Sequence, residues 1–177
     1  MKLANLQDYF LGSIHEYFEM VVYSIFSFLV PFFIGHPQIA VGIIVNAMLI
    51  VSALNLKGHK LLPVIVLPSI AMLSRGMLFG PFTIYLLYLT PFIWIGNSII
   101  VFSFKFLKLR LKKNYWLALI IGAILKSGFL FLAAFALYSL GIIPAVFLAA
   151  MGVMQLVTAL LGGTAAYAVH AAKKHLG

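Results

Sequence analysis

The sequence consists of long apolar runs separated by short segments that carry nearly all of its charge. Most runs approach the roughly 20 residues that an α-helix needs to cross the hydrocarbon core of a bilayer. We therefore predict six membrane-spanning helices. The third run is short and contains two prolines, so it is either tilted or re-entrant. The predicted spans are residues 16–34, 37–54, 61–74, 82–104, 115–140 and 145–172.

The N-terminal region shows a different pattern. Apolar residues recur at helical spacing, at Leu3, Leu6, Phe10 and Ile14, with polar residues between them. This spacing predicts an amphipathic helix over residues 1–15 that lies along the inner membrane surface. Its expected role is anchoring, with docking to a partner as an alternative.

Composition places the whole chain in the membrane class. Of the 177 residues, 64% are hydrophobic and 8% are charged, whereas soluble domains have roughly 45–50% apolar and about 25% charged residues. A soluble core of this size cannot bury so much apolar surface, so the solvent must be lipid. The predicted fold class is an all-α membrane protein, with residues 1–177 forming one integral membrane domain.

Acidic residues are few and confined to the N-terminal region, at Asp8, Glu16 and Glu19. Beyond Glu19 no side-chain carboxylate is available for a catalytic pair, a proton relay or a Mg²⁺ or Ca²⁺ cage. Cysteine is absent, no two histidines stand four residues apart within a span, and there is no Walker-type phosphate loop. We therefore expect a protein that is not an enzyme and that uses no metal or cofactor.

The positions of Lys and Arg predict the orientation. With six spans and an inner N-terminus, the inner segments hold all but two of the 12 basic residues, and Arg75 alone lies outside. Cytoplasmic loops carry such an excess, so both termini are expected inside. The basic run at 105–113 could be a nucleic-acid patch, but its place between two spans favours an anchor on anionic lipid headgroups.

Lys126 is the remaining cation, and it lies in the middle of the apolar fifth span. A lysine at this depth costs roughly 2.5–3.5 kcal/mol on insertion scales, and the sequence offers it no nearby carboxylate. Three states are open. Lys126 is neutral because burial disfavours its charged form, or it is held by amide and carbonyl oxygens, or its counter-ion is an anionic ligand that arrives from outside.

Other polar residues within the spans favour a shared cavity. Asn97 lies on one face of the fourth span with Trp94, and Gln155 shares a face of the sixth span with Thr158. These faces either pack within the bundle or line a cavity that opens outward between spans four, five and six. Asn46, in the second span, is expected to form a helix–helix hydrogen bond.

Two stretches strengthen a resemblance to a known family. In residues 141–174, "GIIPAVFLAAMGVMQLVTALLGGTAAYAVHAAKK", a proline opens a helix, a polar face follows, and a Gly-Gly/Ala stretch precedes a basic tail. Residues 75–82, "RGMLFGPF", are expected to form a glycine- and proline-bearing outer loop. With the six-span layout, they resemble the substrate-binding S components of energy-coupling-factor (ECF) importers. The first span departs from that family, because it lacks the small residues four apart at which the coupling subunit docks.

The resemblance implies capture of a vitamin-like molecule from the outer face. Uptake would then be driven by a transmembrane coupling subunit and separate ATPase subunits, in the plasma membrane of a prokaryote. The cations and the missing acids favour an anionic ligand with a flat apolar part. The alternative is a structural or assembly subunit of a membrane complex, in which Lys126 would only join helices. The candidate ligand-binding residues are Arg75, Tyr85, Tyr88, Trp94, Asn97, Lys126, Met151, Gln155 and Thr158.

Overall fold

The chain folds as a bundle of α-helices. The computed structural model describes residues 3–8, 12–34, 38–79 and 82–176, and these residues contain no β-strand. The predicted all-helical class is therefore confirmed. The α-helices are α1 (Ser13–Phe33), α2 (Gln38–Asn55), α3 (Leu62–Phe79), α4 (Thr83–Ser103), α5 (Tyr115–Ser139), α6 (Val146–Met151) and α7 (Val153–Leu176). Two 3-10 turns, Leu3–Asn5 and Gly58–Leu61, and a π-helical segment, Phe104–Arg110, complete the helical elements of the described residues.

Several of these helices are suited to a bilayer. Five segments of the described chain are long and apolar enough to cross a membrane, which is compatible with a membrane protein. They are Ser13–Phe33, Gln38–Asn55, Thr83–Arg110, Tyr115–Ser139 and Val146–Ala172. Helix α3 is not among the five.

Two of the predicted spans differ from the observed helices. Helix α3 has 18 residues and continues past residue 74, where the predicted third span ended. Pro63 occupies its first turn, where a missing N–H leaves no helical hydrogen bond unmade. The predicted sixth span is interrupted at Gly152, which has φ −97° and ψ −97° and separates α6 from α7.

The predicted amphipathic helix over 1–15 is not a single helix in the structure, because only its last residues, 13–15, are α-helical, as the start of α1. After one 3-10 turn at its start, residues 6–8 are not helical. Their polar groups bond to the end of α2 instead: Asp8 N donates to Leu54 O and Gln7 Nε2 donates to Asn55 O, both at 2.8 Å. These tertiary hydrogen bonds replace the helical ones that the apolar spacing suggested. Phe10 lies outside the described residues.

Helix α2 is the centre of the bundle, with Leu49, Ile50 and Ala53 completely buried. Helix α7 packs against it closely because glycine occupies the contact: a Cβ on Gly162 would lie 2.5 Å from Ile43 O. Small residues permit such close approach of helices. Gly162 thus serves a contact inside this fold.

A cluster of charged and amide groups closes one end of the bundle. Lys60 Nζ donates to Glu16 Oε2 at 2.7 Å, and both side chains are buried. Asn55 Nδ2 donates to Glu19 Oε2 at 3.0 Å, and Lys105 Nζ donates to the carbonyls of Leu6 and Leu56. We call these five residues, Glu16, Glu19, Asn55, Lys60 and Lys105, the basal cluster. It lies where α1 begins and α2 ends.

Candidate functional site

Lys126 is enclosed by helices at the middle of α5. Its side chain is 2% exposed, and Nζ donates to Asn46 Oδ1 at 2.6 Å and to Asn97 Oδ1 at 2.9 Å. Asn46 belongs to α2 and Asn97 to α4, so one lysine side chain joins three helices. One of the three states predicted for Lys126 was a side chain held by amide and carbonyl oxygens, and the structure shows two such hydrogen bonds to amide oxygens.

Neighbouring backbone groups fix the orientation of the two amides. Asn97 Nδ2 donates to Ile65 O at 2.9 Å, and Asn46 Nδ2 donates to Gly42 O at 2.8 Å. A carbonyl can only accept, so each NH₂ group must face its carbonyl and each amide oxygen must face Lys126. Nζ therefore faces two acceptors, and the lysine amine can donate to both of them.

Helix α7 contacts α2 and helps to hold the Asn46 side chain in place. Asn46 Nδ2 also approaches Thr158 Oγ1 at 3.3 Å, and Thr158 in turn donates to Met154 O at 2.8 Å. A Cβ on Gly42 would lie 2.8 Å from Thr158 Cγ2, so only glycine lets the threonine approach this closely. The glycines of α2 and α7 thereby position the Asn46 side chain.

The enclosed Lys126 lines a cavity of about 120 Å³, which we call the Lys126 cavity. Polar side chains and thioethers share its wall, and no acidic residue is among its lining residues. The lining residues that carry these groups are Gln38, Asn46, Ser69, Met72, Thr90, Asn97, Lys126, Met151, Met154, Gln155 and Thr158.

The cavity extends from Lys126 toward the end of the bundle opposite the basal cluster. Pro31, near the end of α1, and Gln38, the first residue of α2, both line it. In the predicted orientation this end faces outward. The break at Gly152 lies on this side of the bundle, between the lining residues Met151 and Met154.

Lys126 has no carboxylate partner among the described residues. Glu16 pairs with Lys57 and Lys60, the Asp8 carboxylate lies 3.5 Å from His170 Nε2, and Glu19 bonds to Tyr23 and Asn55. A lysine ammonium has three N–H donors, and the two asparagines accept two of them. One donor of a protonated Lys126 is therefore available to a group in the cavity.

Five of the nine residues predicted to bind a ligand line the Lys126 cavity. They are Asn97, Lys126, Met151, Gln155 and Thr158. The prediction that these polar positions of spans four to six share one cavity is consistent with this geometry, although helices α2 and α3 also contribute to the wall.

The other four predicted residues do not line this cavity. Arg75 Nη1 donates to the carbonyls of Phe32 and Phe33, each at 2.9 Å, and so caps the end of α1. Trp94 Nε1 donates to Ser69 Oγ at 2.6 Å, which places it behind a lining residue.

The two tyrosines of this set lie on other faces of α4. The ring of Tyr85 packs edge-on to that of Phe147, with centroids 5.8 Å apart. Tyr88 is 48% exposed on the outside of the bundle. Their contact with a ligand remains a prediction, and in this conformation neither contributes to the cavity wall.

Several lining residues were not among the predicted site residues. Asn46 was expected only to join helices, and its mid-span position was the signal that could have paired it with Lys126. Ser69, Met72 and Met154 gave no comparable signal, because serine and methionine are ordinary residues in apolar helices. Gln38 lies at a helix end, where a polar residue needs no special explanation.

The histidines and acidic residues suggest no metal centre. Within the described ranges, no three His, Asp or Glu side chains are grouped so that they could hold an ion.

Comparison with known proteins adds no assignment: no family model matches the chain, and no curated protein or solved structure matches it. The function has to be argued from the cavity itself.

Proposed function

We propose that the chain is the membrane-embedded substrate-capture subunit of an ECF-type importer. It would bind a small anionic, vitamin-like molecule from the outer face, and separate ATPase subunits would drive uptake. One observation carries the proposal. Lys126 is a buried lysine whose partners among the described residues are two neutral amide oxygens, and it lines a cavity with no acidic residue among its lining residues.

The chemistry of the cavity wall suggests how such a ligand is held. A carboxylate or phosphate oxygen would accept from Lys126 and supply the counter-charge that the described chain does not. Gln155 and Thr158 could orient the ligand by hydrogen bonds. Met72 and Met151 offer a soft apolar surface to the rest of the ligand, because thioethers adapt to irregular or flat groups.

The volume of the cavity limits what fits without movement. About 120 Å³ is near the volume of an engineered cavity of about 150 Å³ that holds benzene, and well below the roughly 300–1,000 Å³ of typical ligand pockets. A compact anion fits the present shape. A larger vitamin would need the cavity to widen toward the outer end.

The proposal requires six crossings with both termini inside. Helix α3 would supply the sixth, since its 18 residues span about 27 Å at 1.5 Å per residue, close to the roughly 30 Å hydrocarbon core. The basal cluster and the basic π-helical segment would then face the cytoplasm. The coupling and ATPase subunits would be partners in the plasma membrane of a prokaryote.

A structural subunit is the second candidate, and the two amide bonds of Lys126 favour it. A lysine that joins α2, α4 and α5 could serve only to fix their packing. The two functions differ in one respect. A capture subunit carries or binds a small anion through Lys126, whereas a structural subunit does not.

The test is mass spectrometry of small anions released from the purified protein, comparing Lys126→Met with Lys105→Met. Both variants remove one buried lysine, but Lys105 is not among the cavity-lining residues. We expect one anion to accompany the wild type and Lys105→Met at near-stoichiometric amount and to be lost from Lys126→Met. Equal amounts in all three proteins, or no anion after supplementation with candidate vitamins, would refute capture and favour the structural role.

A further inference from the structure

A second cavity lies at the other end of the bundle, beside the start of α5. It has a volume of about 560 Å³ and is formed where the π-helical segment, the start of α5 and the last part of α7 meet. Its functional side chains are those of Lys108, Asn114, Tyr115, Trp116, Tyr167 and His170. We call it the Trp116 cavity. It shares no lining residue with the Lys126 cavity, and the proposed function makes no use of it.

Three aromatic rings form one wall of the Trp116 cavity. The centroid of Tyr167 lies 5.0 Å from that of Tyr115 and 5.1 Å from that of Trp116. Tyr115 is fixed, because its hydroxyl donates to Gly163 O at 2.7 Å and its side chain is 4% exposed. Trp116 and Tyr167 are 40% and 39% exposed. The wall therefore combines a rigid base with two rings that a ligand could cover.

Lys108 supplies a cation that no described residue neutralises. It forms no ion pair within the described ranges, whereas the nearby His170 lies 3.5 Å from the carboxylate of Asp8. The Asp8 carboxylate thus contacts His170 rather than Lys108. The Asn114 side chain is also engaged, since its Oδ1 accepts from Trp116 N at 2.8 Å and caps α5. The positive charge of Lys108 remains for a group from outside the chain.

The backbone around this cation is irregular in two places. Lys108 lies on a seven-residue π-helical segment. Such segments are rare in proteins overall, and many of those that occur lie at functional sites. Lys112 has a φ of 54°, a left-handed conformation that non-glycine residues seldom adopt. Such departures need support from their surroundings, and they cluster at binding sites. Here both lie in the segment that leads from Lys108 to the aromatic wall.

We propose that the Trp116 cavity binds a phosphate-bearing anion, with Lys108 on the phosphate and the aromatic wall against the group that carries it. Lysine binds phosphate as a point charge, and tyrosine and tryptophan offer faces that are apolar with a polar edge. The phosphate could belong to the headgroup of an anionic lipid or to a soluble molecule. Both sources present the same chemistry to Lys108.

The test compares Lys108→Gln with Arg110→Gln. Each variant removes one cation from the same π-helical segment, but Arg110 does not line the cavity and lies 5.8 Å from the Phe106 ring. Protein in detergent is incubated with phosphatidylglycerol or phosphatidylcholine and examined by native mass spectrometry. In parallel, inorganic phosphate is titrated while Trp116 fluorescence is followed in a Trp94→Phe background.

A lipid site predicts that phosphatidylglycerol is retained on the wild type and on Arg110→Gln. Retention should fall about fivefold on Lys108→Gln, as expected for one lysine at an anionic surface, and return in Lys108→Arg. A soluble-phosphate site predicts instead that inorganic phosphate changes Trp116 fluorescence in a Lys108-dependent way. Equal loss in Lys108→Gln and Arg110→Gln, or no response to either probe, would overturn the proposal. Lys126→Met should leave both readouts unchanged, which separates this site from the capture function.

Discussion

The basal cluster and the Lys126 cavity satisfy buried lysines in different ways. At the basal cluster the chain supplies the partners itself: Lys60 pairs with Glu16 at 2.7 Å, and Lys105 bonds to two backbone carbonyls. At the cavity, Lys126 receives two neutral amide oxygens and faces open volume. Burial alone therefore does not distinguish Lys126 from the lysines of the basal cluster. The combination of burial, neutral partners and adjacent space does, and our proposal of ligand capture rests on it.

This difference has an energetic consequence. A buried ion pair repays its desolvation only when both partners remain, so the basal cluster should be sensitive to the loss of either charge. Lys126 has no charged partner to lose among the described residues. Changes there should act more on ligand retention than on folding, and the following substitutions test that contrast.

Glu16→Gln should give the largest loss of stability. Glu16 is 1% exposed and accepts from Lys60 Nζ and from the backbone N of Lys57 at 2.9 Å. Removing its charge leaves Lys60 buried without a counter-ion, at a cost of about 3–5 kcal/mol. The free energy of unfolding can be measured by titration with sodium dodecyl sulfate.

Lys57→Gln is the matched control for that measurement. Lys57 lies 3.8 Å from the same carboxylate but its side chain is 45% exposed, so its loss should change the unfolding free energy by only about 0–1 kcal/mol. Similar losses in the two variants would show that the basal cluster does not act as a buried ion pair.

Gly162→Ala should have a smaller effect that reaches the cavity. A Cβ at this position would lie 2.5 Å from Ile43 O and 2.8 Å from Asn46 Cβ. Overpacking of this kind costs about 1–3 kcal/mol, and it should also displace Asn46 from Lys126. We expect lower stability together with reduced retention of any bound anion.

Gly128→Ala serves as the control, because a Cβ there meets nothing within 4 Å. Alanine is the better helix former by roughly 0.5–1 kcal/mol, so this variant should be slightly more stable and retain the anion. If both glycine variants behave alike, the close contact of α7 with α2 is not what holds Asn46 in place.

Arg75→Met should have a smaller effect on stability than Glu16→Gln or Gly162→Ala. Arg75 caps the last carbonyls of α1 and is not a cavity-lining residue. Loss of the cap should lower the unfolding free energy by about 0.5–1.5 kcal/mol and leave anion retention unchanged. A selective loss of retention without a change in stability would instead restore the predicted role of Arg75 as an entrance group.

Much of the fold follows from the sequence, because apolar runs predict helices directly. The bounds of α2 and α5 match the predicted spans to within one or two residues. The interruption at Gly152 was harder to predict from the sequence, since an isolated glycine is tolerated in many helices. The N-terminal segment differed because its groups bond to α2, and apolar spacing carries no information about such tertiary hydrogen bonds.

The candidate site was predictable only at positions where a polar side chain is costly to bury in an apolar helix. Lys126 and Asn97 stand out because polar groups inside an apolar helix need partners. Tyr85 and Tyr88 were chosen as aromatic residues near the same face, but tyrosines also pack or face outward, and periodicity cannot separate these outcomes. Lys105 was assigned to a loop, because nothing in a basic run reveals that a π-helical segment turns one of its members inward.

The most direct test of the account is Asn46→Asp. The substitution places a carboxylate beside Lys126. It removes the hydrogen bond from Asn46 Nδ2 to Gly42 O, but the hydroxyl of Thr158, 3.3 Å from the Asn46 amide nitrogen, can rotate to donate to the new carboxylate. The new carboxylate would supply the counter-charge that we assign to the ligand. We predict a folded protein that no longer carries the small anion found on the wild type by mass spectrometry. Retention of that anion at the wild-type level, in a folded Asn46→Asp protein, would contradict anion capture at Lys126.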